Sequence, residues 1–292
     1  MNNKIAGLAP GVVEVSAELQ RTTVADLAGT LPCGPALTGP RVPFVFRPPV
    51  MGLLREIGAL KGKKAIAGIP GKHACYAMAK ALRSLGERTM GEASGDKGAA
   101  SDALAIADLT IGDVLHLGFA WQEAKEPDGI VLRDQICREC LTAFPEVVAD
   151  LRTLEVYARP EDLDEPLSAR VGLRRGFMHA GRKVSTVLVQ PPRWRDVFWL
   201  LQPEDWKNAE KVEAFSIKSA IVGTDAEYDG TARPNVGMTE IDQLWPQDVR
   251  LLSDAIARIA PTPDLRVHLT CPSCGADALV ALGWTDPGFF GG

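Results

Sequence analysis

The chain has 292 residues, a hydrophobic share of 46%, a charged share of 24% and a formal net charge of −5. Those values describe an ordinary globular chain with room for a sizeable core, and they argue against a general nucleic-acid binder, which needs clustered cations. No apolar run approaches the roughly 18 residues that cross a bilayer, and the first residues lack the charged, apolar, small-residue order of a secretory signal. The expected address is cytoplasmic, with no membrane partner.

Residues 1–41 are rich in Gly, Pro and Thr without a sustained period, and read as an extended N-terminal arm. Next comes "VPFVFRPPVMGLLREIGAL" (42–60), an apolar strand, two prolines and a helical stretch. The pair Pro48-Pro49 suits the end of a strand and the first turn of a helix. "KHACYAMAKALRSLG" (72–86) predicts a helix stopped by glycine. Just before it, "GIPGKH" lacks the spacing and the Ser or Thr of a phosphate-binding loop and reads as a turn. "RTMGEASGDKGAASD" (88–102) predicts an exposed loop. Residues 109–140 predict a helix opened by Asp113-Val114, a Pro-containing turn, then a strand running into Cys137-x-x-Cys140.

The connector, 151–183, holds an acidic run, "RPEDLDEP", which reads as a solvated turn, and a basic stretch, "LRRGFMHAGRK", which reads as a solvated loop turning at Gly181. Beyond it the order of features recurs. "VSTVLVQPPRWRDVFWLLQ" (184–202) repeats strand, proline pair and helix. Residues 244–274 repeat the Asp-opened helix (Asp248-Val249), turn and strand, ending in Cys271-Pro-x-Cys274. The interval from Asp to first Cys differs by one residue between the copies. The expected fold is α+β: two duplicated helix-plus-zinc-ribbon halves, 42–150 and 184–284, related by a pseudo-two-fold, with an aromatic tail at 285–292.

One Cys-x-x-Cys supplies two thiolates, while structural zinc takes four ligands. The expectation is one composite zinc site of Cys137, Cys140, Cys271 and Cys274. Buried hairpin turns with free thiols, a redox disulfide and two separate sites stay open as readings. His268, three residues before Cys271, is a possible substitute ligand. A closed four-thiolate site leaves no open position for substrate, and no hydrolase, zincin or dinucleotide motif is present. Cys33 and Cys75 have no partner spacing, and Cys75 reads as a core residue. Of the tryptophans, Trp194, Trp199, Trp206, Trp245 and Trp284 fall in the second copy, most of them expected in the core. Trp284, Phe289 and Phe290 are candidate partner contacts, since large aromatics make interface anchors.

The segment from "LWPQDVRLLSDAIARI" through "VHLTCPSCGADALVAL" resembles the C-terminal part of the baseplate and tail assembly proteins of contractile-tailed bacteriophages, including the baseplate hub assembly family of the T-even phages. The resemblance rests on Asp248, Leu251, Leu252, Ile256 and the Cys271-Pro272-Ser273-Cys274 knuckle, and the first copy echoes it with Arg138 in place of the proline. It covers about 50 residues; the duplication and the N-terminal arm depart from it. It implies a non-enzymatic structural or assembly protein whose partners are other tail and baseplate proteins, acting in the host cytoplasm or retained in the particle. The alternative is a cytoplasmic zinc-ribbon adaptor or enzyme accessory subunit, associated with nucleic acid in one version.

Overall fold

The structure is a computed structural model that describes residues 7–24, 28–63, 66, 70–91, 96–132, 136–143, 147–199, 201, 204–205, 208–226 and 234–282. Three short strands come first: β1 (Val13–Val15), β2 (Gln20–Thr23) and β3 (Ala28–Thr30). They are followed by β4 (Pro43–Phe46), α1 (Met51–Ala59), α2 (Pro70–Ala81), β5 (Leu82–Leu85), β6 (Arg88–Thr89), α3 (Asp96–Ala107) and α4 (Ile111–Lys125). A hairpin of β7 (Ile130–Leu132) and β8 (Val147–Ala149) leads to β9 (Glu155–Ala158). The second part runs β10 (Ala169–His179), β11 (Arg182–Val189), α5 (Trp194–Val197), α6 (Ala209–Ala220), β12 (Ile221–Thr224), α7 (Met238–Ile241) and α8 (Pro246–Ile259). It ends in β13 (Thr262–Pro263), β14 (Arg266–Thr270) and β15 (Asp277–Ala281). The fold is mixed α+β, as expected.

Two four-stranded antiparallel sheets, β3-β4-β5-β6 and β1-β10-β11-β12, organise the chain, with a three-stranded sheet, β13-β9-β2, that joins segments far apart in sequence, and two small hairpins, β7-β8 and β14-β15. Each large sheet has its own apolar core. Phe44, Met78 and Trp121 lie in the first, Val171, Ile217 and Leu252 in the second. The first core also takes Trp194 and Phe198 from the second part of the chain. Trp194 is fully buried and its indole N–H donates to the Gly71 carbonyl at 3.0 Å. A Cβ on Gly71 would stand 2.1 Å from the Phe198 carbonyl oxygen. The glycine of "GIPGKH" therefore serves close approach of two segments.

Local geometry agrees between the two parts at several points. In both, a twelve-residue helix (α2, α6) runs without a break into a four-residue strand (β5, β12). That strand pairs with β4 or β11 with a register shift at the last pair, between Val45 and Phe46 or between Leu188 and Val189. One residue before each proline pair, the Arg47 N–H donates to Ala81 at 2.8 Å and the Gln190 N–H donates to Ala220 at 2.9 Å. Asp113 and Asp248 each occupy the third position of a helix, α4 and α8, and both are fully buried. Asp113 accepts from the Cys33 and Gly34 amides at 2.8 and 3.0 Å, and from the Thr110 hydroxyl at 2.8 Å. Asp248 accepts from the Arg174, Arg175 and Gly176 amides at 2.7, 3.0 and 3.0 Å. Gly34 and Gly176 both have positive φ, 85° and 70°. A carboxylate in a helix's first turn is favoured by the helix dipole, and here it also ties the helix to a distant turn.

Several elements differ from their sequence expectation. From residue 7 onward the arm is extended but stitched into the body, since β1 pairs with β10, β2 with β9 and β3 with β4. Leu31 and Cys33 are fully buried there, and a strand this short meets its backbone hydrogen bonds only by joining a sheet. The helix expected over 72–86 stops at Ala81, because Leu82 enters the core as strand and Gly86, at φ 58°, turns the chain into β6. The loop expected over 88–102 contains β6 and the start of α3. The helix expected after Pro191-Pro192 is the single turn α5. "LRRGFMHAGRK" is strand, with a two-residue turn at Ala180 and Gly181, both at positive φ.

Candidate metal centre

The four expected cysteines converge. Among the described residues they form the one group of His, Cys, Asp or Glu side chains able to hold a metal ion, with all four sulfurs within 4.8 Å of one another. Cys137 Sγ is 3.8 Å from Cys274 Sγ, and Cys140 Sγ is 3.7 Å from Cys271 Sγ. All four are free thiols. Sulfurs bound at about 2.3 Å around a tetrahedral zinc stand about 3.8 Å apart, whereas a disulfide brings them to about 2.05 Å. The spacing is compatible with four ligands around one ion and not with a disulfide.

Each knuckle is built the same way. In the first, the Cys137 N–H donates to Thr142 at 3.0 Å and the Leu141 N–H donates back to Cys137 at 3.0 Å. In the second, the Cys271 N–H donates to Ala276 at 2.8 Å and the Gly275 N–H donates back to Cys271 at 2.9 Å. The residue after the second cysteine must take positive φ to close this turn. Gly275 does so at 72° without steric cost, and Leu141 does so at 58° although it carries a side chain. Hairpins flank both turns. The Ile136–Ala143 bridge lies beside the first, and β14 and β15 pair from Thr270–Asp277 to Arg266–Ala281 beside the second.

Burial divides the four cysteines. Cys137 and Cys271 are buried at the edge of the first core, while Cys140 and Cys274 face solvent. The Thr142 hydroxyl, 3.3 Å from Cys140 Sγ, and the Thr142 amide hold that thiol down at about 6. Although the Ala276 amide favours its thiolate, Cys274 is pushed up to about 12 by Cys140 and the other neighbouring thiols. A second thiolate beside a first is opposed by it, and a divalent cation at the centre reverses that opposition. The donor set therefore suits a dication.

No family model, curated protein or solved structure matches this chain.

The remaining candidates separate clearly. Cys33 and Cys75 are fully buried, and burial pushes both thiols well above their ordinary value, which makes them inert core groups. His268 lies on β14. Trp206, Trp284, Phe289 and Phe290 fall outside the described residues. Trp194 is core and Trp199 is partly buried against it, whereas Trp245 is 48% exposed. The acidic run is a solvated turn, with Glu161, Asp162, Asp164 and Glu165 exposed. No helix among the described residues is long and apolar enough to cross a membrane. Thr142 and Leu141 escaped the sequence reading. Gly275 was the available pointer, because a glycine directly after Cys-Pro-x-Cys marks a positive-φ position whose counterpart is Leu141.

Proposed function

We propose that the chain is a non-enzymatic structural or assembly protein of a phage-like contractile tail, built from two duplicated halves that one zinc ion joins across a pseudo-two-fold. The observation that carries the scaffold is the convergence of Cys137 and Cys140 with Cys271 and Cys274, which come from knuckles far apart in sequence. Duplication is supported by the repeated helix-into-strand junctions, the shared register shifts, the twin aspartates at the third helical position and the matching knuckles. Zinc is the ion that tetrahedral four-thiolate sites favour, and a closed site of this kind contributes folding energy and leaves no position for substrate. The tail role follows from the resemblance of residues 244–282 to baseplate assembly proteins and from the reading of this chain as a scaffold that works through protein contacts.

Two measurements test it. Metal analysis of protein purified without added zinc gives about one zinc per chain, lost in both Cys137→Ser and Cys271→Ser. Metal that survives either substitution overturns the composite site. Quantitative mass spectrometry of tail particles, purified from cells producing the protein, finds it enriched on particles or on baseplate intermediates. Its absence from both removes the tail role and leaves the adaptor reading.

A further inference from the structure

The basic stretch of the connector has a structural setting that its sequence did not reveal. Arg174, Arg175, Arg182 and Lys183 are all exposed, and none forms an ion pair among the described residues. Their backbone is held firmly. Asp248 accepts from the amides of Arg174, Arg175 and Gly176, where the β10–β11 register shifts between Gly172 and Phe177. The Arg175 guanidinium lies 3.6 Å from the centre of the Trp245 ring. Trp245 is 48% exposed, and Met178, cross-strand from Lys183, is 49% exposed. Arg, Trp and Met are the residue types enriched at protein interfaces, and a preorganised arginine on an aromatic face loses little entropy on binding.

The complementary surface is on the same chain. Asp162, Asp164 and Glu165 are exposed and likewise free of ion pairs among the described residues, while their neighbour Glu161 pairs with Arg41 at 2.8 Å. These acids precede β10, and Arg182 and Lys183 follow its far end. Arg174 and Arg175 lie midway along the eleven residues of β10, between the acidic turn and the Arg182–Lys183 pair.

We propose that copies of this chain associate head to tail, the basic surface of Arg174, Arg175, Arg182 and Lys183 in one copy receiving the 162–165 acidic turn of the next. The two contacting surfaces differ, so the contact is heterologous: each copy keeps one free surface of each sign, and the series closes as a ring or continues as a filament. Opposite charges at the contact steer association and make it salt-dependent. A small basic patch on a net-acidic chain suits carboxylates better than a nucleic-acid backbone, which asks for many phosphate contacts. This inference stands apart from the metal centre and the tail reading, and either can fail without the other.

Sedimentation velocity on the metal-replete full chain, over a hundredfold concentration range at low and high salt, reads the assembly. Wild-type protein forms concentration-dependent species larger than the monomer at low salt, and these weaken at high salt. R174E/R175E weakens self-association at least about tenfold, and so does D162K/D164K. The two variants mixed together assemble again, because each now presents to the other the charge it lacks towards itself. Circular dichroism and metal content matching wild type show that both variants fold. A wild-type chain that stays monomeric at low salt overturns the proposal, as does assembly unaffected by the reversals or a mixture that fails to recover.

Discussion

His116 carries the most quantitative prediction. It lies on α4 at 1% exposure, edge-on to Phe44 with ring centroids 5.7 Å apart, and neither ring nitrogen has a hydrogen-bond partner. Burial first, and then the Arg41 charge, lower its pKa from 6.5 to about 4. Between those values the unfolded chain binds a proton that the folded chain refuses, so stability is whole above about pH 6.5 and falls as pH drops towards 4. A difference of about 2.5 units corresponds to roughly 3 kcal/mol in full, about 2 of it already lost at pH 5. Replacing the ring in His116→Leu removes the proton acceptor and an unsatisfied buried polar group together. Urea unfolding near pH 7.5, 6 and 5 at equal metal content measures the effect, and subtracting variant from wild type cancels the acid sensitivity of the four-cysteine cluster. The gap between the two proteins shifts in favour of the variant by about 2 kcal/mol from pH 7.5 to pH 5. Parallel curves would refute the reasoning and place a proton or a partner on the imidazole.

Other expectations follow from backbone geometry. A Cβ at Gly112 would stand 1.6 Å from the Pro261 carbonyl oxygen, while at Gly58, on α1, it would meet nothing within 4 Å. In chemical unfolding Gly112→Ala therefore costs about 3 kcal/mol or more, and Gly58→Ala gains up to about 1 kcal/mol. Asp248→Ala strands three backbone amides at the β10 bulge and costs about 3 kcal/mol, with faster amide exchange at residues 174–176 as the local reporter. Leu141→Gly relieves a left-handed leucine whose side chain is 77% exposed, and raises the protein's thermal midpoint by a degree or more, equivalent to about 0.5 kcal/mol.

The convergence of the four cysteines was legible because coordination chemistry counts ligands. Two thiolates per knuckle fall short of a tetrahedral set, so a second knuckle at matched distance from a helix-opening aspartate implied convergence before any geometry was known. The aspartates were legible as helix openers, but their partners were not. Residues 33–34 and 174–176 lie more than seventy positions from the carboxylates that hold them, and no local period encodes such a contact. The α2–β5 junction was hidden for a related reason. Apolar spacing through Ala81 and Leu82 satisfies a helix, and only pairing with β4 makes the extended form better. The basic stretch failed in the same direction, since its charges suggested loop while a sheet partner and a buried carboxylate made it strand.

The stitching of β1 and β2 sets a timetable for the chain during synthesis. Val13 waits for Val171 and Gln20 for Ala158, and at about 5–20 residues per second that delay is about 8–30 s. During it, two bare strand edges stand in water, the condition in which chains pair wrongly. Their spelling suits the wait: β1 places Glu14 between its valines, and β2 reads Gln-Arg-Thr-Thr. Polar residues that contribute little to the finished core keep these strands soluble until their partners emerge.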